Sequence, residues 1–184
     1  MVRDHRRPAA VRGVLGSHRH DPDVDVYLAI ASKRDQRDYA DTPIPEDLVR
    51  RILDSGRLSG NSQNRQRWEF VVVETAQQQL AETVWQPRNV LGAKLVVAIC
   101  GDAQGIDVGR CAQNMMLCAW GEGVTSCPNG IRDQDAAAEI CGAQVKLVLS
   151  FGYPARPRNP ESRPAEDWSA RAKRKPLDEL VRRV

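Results

Sequence analysis

The sequence predicts a layered α/β or α+β fold, and three observations carry the prediction. Residues 68–73, 94–100 and 145–152 are short apolar runs rich in Val, Ile and Leu and bounded by turn residues, the pattern of buried strands. Between them lie segments whose apolar side chains recur at helical spacing. At 184 residues the chain is long enough for one domain with a full hydrophobic core, and strands alternating with helices close such a core in layers.

Composition narrows the function classes. The net charge of +3 is modest and no apolar run reaches the ~18 residues of a membrane span. The N-terminus is charged but lacks an apolar signal core, so a cytoplasmic location is expected. Cys100, Cys111, Cys118, Cys127 and Cys141 form no CxxC, and free, mostly buried thiols are expected of them. His5, His18 and His20 are the only histidines. From Asp21 onward there is none, which excludes a Ser-His-Asp or Cys-His nucleophile and a His-rich zinc site within the domain. No metal is expected. Difficult chemistry here calls for an organic cofactor.

Taken in order, residues 1–22 form a basic arm without periodicity, and residues 23–184 are expected to be a single domain. Charge alone does not make the arm a nucleic-acid binder, and neither a nucleic-acid nor a membrane partner is expected. The first helix, from Asp23, places Val26, Ala29 and Ile30 on one face, with acids near its start and Lys33 and Arg34 near its end. Arg34 and Arg37, three apart at a helix end, can converge on one anion or simply solubilise the helix. Pro45 and Glu46 open a second helix with Leu48, Ile52, Leu53 and Leu58 towards the core. The polar loop RLSGNSQNRQRW at the mouth of the first strand can read the edge of a heterocycle or merely connect.

A third helix is predicted over residues 76–85, and a helix with little polar surface over residues 107–120, packed by Val108, Cys111, Met115, Leu117, Cys118 and Trp120. After Gly121 and Gly123 the chain should turn, baring the backbone of Pro128, Asn129 and Gly130 to a flat ligand or making an ordinary helix end. A helix capped by Asp133 runs to Cys141. Beyond Pro154 the chain is expected to wrap the surface, ending in a basic cluster (Arg171, Lys173, Arg174, Lys175) that is either solvated or folded back onto a phosphate. Cys127, in an apolar neighbourhood without a histidine, is expected to be a packed bystander.

Four stations stand in order along the chain: Lys33-Arg34-Asp35-Gln36-Arg37-Asp38-Tyr39, Asn64-Arg65-Gln66-Arg67-Trp68-Glu69-Phe70, Gln113-Asn114-Met115-Met116-Leu117 with Gly123-Val124-Thr125-Ser126, and Phe151-Gly152-Tyr153-Pro154 followed by Lys173-Arg174-Lys175-Pro176-Leu177. Together they resemble the nitroreductase family of FMN-dependent flavoproteins. The resemblance implies an α+β fold: a central mixed, mainly antiparallel sheet flanked by helices, in an intertwined homodimer with FMN at the subunit interface. It also implies a phosphate held by Arg34, Arg37, Lys173 and Lys175 with Asp35 beside it in the cofactor site, a flavin edge held by Asn64 and Gln66, and a ring faced by Pro128, Asn129 and Gly130. The flavin carries the chemistry, so no catalytic side chain is expected. NADH or NADPH is the expected donor, and a quinone, nitroaromatic or similar small molecule the expected acceptor.

Two departures bear on this. Asp35 stands where the family has serine, and an acid beside a phosphate is unhelpful unless it turns onto a cation. The link from Gly101 to Asp107 is short where many relatives cover the substrate. An open flavin face is consistent with the alternative of a flavin dehydrogenase or oxidase acting on a bulky, peptide-derived metabolite, with or without partner subunits. A flavin-binding protein without turnover is the third alternative.

Overall fold

The computed structural model describes residues 25–156 and 158–184, so the basic arm and its histidines lie outside the described residues. Among the described residues, eight helices and four strands follow one another: α1 (Val26–Ser32), α2 (Glu46–Arg57), β1 (Trp68–Val72), α3 (Gln77–Glu82), α4 (Pro87–Leu91), β2 (Leu95–Gly101), α5 (Gly105–Gly121), β3 (Thr125–Asn129), α6 (Gln134–Cys141), β4 (Val145–Gly152), α7 (Ala165–Arg171) and α8 (Leu177–Leu180). Short 3-10 turns sit at Ser62–Asn64 and Pro160–Ser162. No helix among the described residues is long and apolar enough to cross a membrane.

The strands form one sheet in the order β1-β2-β4-β3. Every neighbouring pair is antiparallel, so the parallel component allowed by a mixed sheet is not found among the described residues. Successive residues of a strand face opposite sides of a sheet. In β2, Val97 and Ile99 enter a core shared with Leu48, Ile52, Met115 and Phe151, contributed by α2, α5 and β4. Val96, Ala98 and Cys100 enter a second core with Leu80, Val90 and Ala137, contributed by α3, α4 and α6, and with Val84 from the link between α3 and α4. Cover on both faces is why the β2 sequence reads as an unbroken apolar run rather than an alternating one.

Close approaches fix the layers. A Cβ on Gly56 would lie 2.2 Å from Met115 Cε, so glycine lets α2 meet α5. A Cβ on Gly152 would lie 2.7 Å from the Tyr39 ring. Trp120 Nε1 donates to Ser32 Oγ at 2.9 Å and ties α5 to α1.

Several expectations need correction. The turn foreseen after Gly123 is only the start of that stretch: Gly123 takes a left-handed φ of 76°, and the chain then enters β3, which pairs with β4 from Thr125 to Asn129. Pro128 is tolerated because β3 lies at the sheet edge, where a missing N–H breaks no ladder. Of the face foreseen on α1, only Ala29 is buried; Val26 and Ile30 are exposed. Leu58 is exposed because α2 ends at Arg57. The third helix stops at Glu82 and a separate helix, α4, follows. The tail is not without structure: α7 packs against α1.

Candidate functional site

The backbone of β3 and the helix α4 converge on a pocket of about 370 Å³ lined by Arg37, Trp85, Arg88, Asn89 and the stretch Pro128, Asn129, Gly130. Its floor is a buried polar network. Asn129 Oδ1 accepts from Asn89 Nδ2 at 3.1 Å, and Asn129 Nδ2 lies within 3.0–3.3 Å of Cys127 O, Ser150 Oγ and Val148 O. Ser150 Oγ in turn lies 3.0 Å from the hydroxyl of Tyr39. Burial pushes the Tyr39 hydroxyl far above the ordinary phenol value, so it stays protonated. The side chain of Asn129 is therefore committed to the interior.

One atom in this network is left over. Asn89 is 4% exposed, and its Oδ1 has no hydrogen-bond partner among the described residues. A buried acceptor without a donor costs about 1–3 kcal/mol, so its presence at a pocket wall points to a ligand N–H. Sequence reasoning missed Asn89, Trp85 and Arg88: they belong to a five-residue helix and its lead-in, too short for a period to show. Trp85 stands 66% exposed at the rim, its backbone N donating to Gly130 O at 3.1 Å.

The basic stretch before Tyr39 is not helical. Because α1 ends at Ser32, residues 33–38 have no regular secondary structure, and Gln36 N donates to Ser126 O on β3. Arg37, Asp35 and Lys33 all bear electrostatically on Cys127. Arg34 does not. It donates to Ala31 O, Lys33 O and Trp168 O, and lies over the Trp168 ring at 6.0 Å, with Arg163 also over that ring at 4.8 Å. Arg34 is therefore not brought together with Arg37 on one anion; it clamps α7 onto α1. Asp35 turns onto Lys33.

The other expected site residues are not brought to this pocket. Asn64 and Gln66 lie on an exposed loop with left-handed φ of 51° and 48°, as does Gln63 at 55°. Gln66 lines a different, shallower groove of about 710 Å³ beside Trp68, Phe70 and the arginines of α2. Lys173 and Lys175 are exposed beyond α7. Burial pushes the Cys127 thiol above its ordinary value, partly offset by Arg37, in keeping with a packed bystander. The link between β2 and α5 is Asp102-Ala103-Gln104, so no inserted helix overhangs the sheet there.

The sequence model of the nitroreductase family matches residues 30–105. A protein of Methanothermobacter thermautotrophicus, provisionally named NADH dehydrogenase/NAD(P)H nitroreductase, is 26% identical over 158 residues, covering 76% of this chain and 82% of the relative. Among solved structures, the NADPH:FMN oxidoreductase of Vibrio harveyi in complex with NAD+ superposes with a TM-score of 0.71 at 21% identity, over 86% of this chain and 77% of that one. A provisionally assigned nitroreductase of Desulfovibrio desulfuricans in complex with FMN superposes with a TM-score of 0.70 at 22% identity, over 86% and 96%. Residues 30–105 are thus similar in sequence to the nitroreductase family, and over most of its length the chain shares the fold of these solved structures.

Proposed function

We propose that the protein is an FMN-dependent oxidoreductase that takes electrons from NADH or NADPH and passes them to a quinone, nitroaromatic or similar small acceptor. The observation that carries this is the pocket wall: a buried amide oxygen on Asn89 lacking a donor, beside exposed backbone and two arginines. A flavin ring offers one imide N–H and several acceptors on a flat frame, which matches that wall. The printed names of the relatives and the FMN-bound fold neighbour agree with it. FMN held there would supply the two-electron transfer that no side chain of this domain can perform.

The residues then have definite tasks. Lys33 and Arg37 hold the phosphate end through charge-assisted bonds. Asn89 takes the imide N–H. A backbone N–H from Gly130 would meet negative charge where it develops on the ring of bound FMN, a placement that favours reduction. Asn64 and Gln66 lie away from the pocket within one copy, so their assignment to the flavin edge requires a second copy of the chain. Val26, Tyr27 and Ile30 on α1 and Leu177 and Leu180 on α8 are exposed apolar side chains that a homodimer would cover.

Reconstitution tests this. The purified protein, loaded with FMN and freed of excess, should retain flavin, sediment as a dimer and consume NADH or NADPH with a quinone acceptor. A protein that takes up no flavin refutes the proposal. The three-residue link between β2 and α5 favours, as a second reading, oxidation of a bulky metabolite at an open flavin face. Retained flavin that neither nicotinamide reduces would support that reading instead.

A further inference from the structure

The stretch after α1 holds an ion pair that a phosphate would have to break. The Lys33 side chain is only 10% exposed. Its Nζ donates to the carboxylate of Asp35 and lies 3.4 Å from Met116 Sδ, against α5. An ammonium so placed needs a counter-charge, and Asp35 provides it. Asp35 itself is 42% exposed and free to leave towards solvent. Arg37, two residues on, reaches the pocket, and the intervening Gln36 carries a buried Nε2 without an acceptor among the described residues. Arg34 is spent on the backbone of α1 and α7. Of the remaining cations of this stretch, Arg37 lines the pocket and Lys33 carries a carboxylate.

We propose that Asp35 is an internal counter-ion that competes with a ligand's phosphate for Lys33, so that the site distinguishes FMN only weakly from riboflavin, which lacks the phosphate. The inference rests on the flavin reading of the pocket. The carboxylate and a phosphate oxygen are alternative acceptors for the same buried ammonium, and each must displace the other. Specificity is a difference of affinities, and a resident anion lowers the phosphorylated ligand's affinity while leaving the ring's contacts alone. Serine at this position would leave Lys33 free for the ligand.

FMN and riboflavin titrations of the full chain, followed by quenching of flavin fluorescence, test this. In the wild-type protein the two affinities should differ by less than about tenfold. Asp35→Asn and Asp35→Ser should each raise FMN affinity by about tenfold or more and leave riboflavin within about threefold. Adding Lys33→Met to Asp35→Asn should abolish the gain. Circular dichroism of the ligand-free variants checks that the fold is intact, and their melting temperature should fall because Lys33 then lacks its counter-charge. Equal changes for both flavins would overturn the proposal, since Asp35 would then act on the fold or on the ring. A fall in FMN affinity alone would also overturn it, because Asp35 would then help to hold the phosphate. Failure of every form to bind either flavin would remove the flavin reading itself, and the counter-ion with it.

Discussion

Replacing Asn129 by alanine tests the polar floor of the pocket. Its carboxamide is the acceptor for Asn89 Nδ2 and donates towards Cys127 O, Ser150 Oγ and Val148 O. In the Asn129→Ala variant the Asn89 amide keeps only a 4.0 Å contact to Cys127 Sγ, a stranded donor costing about 1–3 kcal/mol. The two donated bonds lost add about 1 kcal/mol each. The sum is about 3–5 kcal/mol, and at about 2–4 °C per kcal/mol for a domain of this size the melting temperature should fall by at least about 6 °C. Thermal unfolding of the ligand-free protein followed by circular dichroism measures it. Asn64→Ala, on the exposed loop, is the control and should move the midpoint by less than about 2 °C. A drop for Asn129→Ala no larger than that of the control would refute the argument that this network, rather than the apolar layers alone, holds β3 and α4 together.

Three further outcomes follow from particular contacts. Arg37→Ala should weaken FMN retention about tenfold in equilibrium dialysis, whereas Arg67→Ala, whose guanidinium makes only an exposed pair with Asp102, should leave it unchanged. Arg34→Ala should lower the urea midpoint by about 1–3 kcal/mol of stability while leaving flavin affinity within about twofold, because its bonds go to backbone carbonyls and the Trp168 ring. Burial pushes the Cys100 thiol up to about 12 from an ordinary 9.0, and its effect is the same in sign as that of the buried Tyr39 hydroxyl. Such groups give up no stability below the unfolded value and lose it as pH rises through the folded one, so the urea midpoint should fall progressively above about pH 9. Cys100→Val should flatten part of that fall, and an unchanged profile would contradict the burial argument.

Much of the layered architecture was legible in the sequence because it is written in local patterns. Residues 94–100 and 145–152 announce strands covered on both faces, and Asp133 caps α6 as its position suggests, accepting from Ala136 N. What was not legible depends on contacts distant in sequence. Gly123, Pro128, Asn129 and Gly130 have turn composition, yet pairing with β4 makes most of that stretch a strand, and no local pattern names the partner. On α1 the periodicity gives a helix but not its cover: Trp120 and Trp168 pack near Ser32 and Arg34, while Val26 and Ile30 stay exposed. The site shows the same limit at smaller scale. Arg34 and Arg37 pair only if the helix continues, and its end at Ser32 sends Arg34 to the carbonyls of Ala31, Lys33 and Trp168 instead. Asn89 carries its signal in a missing hydrogen bond, which only three-dimensional packing can reveal.

The most direct test of the central claim is anaerobic mixing of the FMN-loaded protein with NADH or with NADPH, following the visible flavin band. The account predicts that one of them bleaches the band within the turnover time and that a quinone restores it. A bound flavin whose spectrum neither nicotinamide alters would contradict the proposed reductase activity, and a protein that holds no flavin would contradict the site itself.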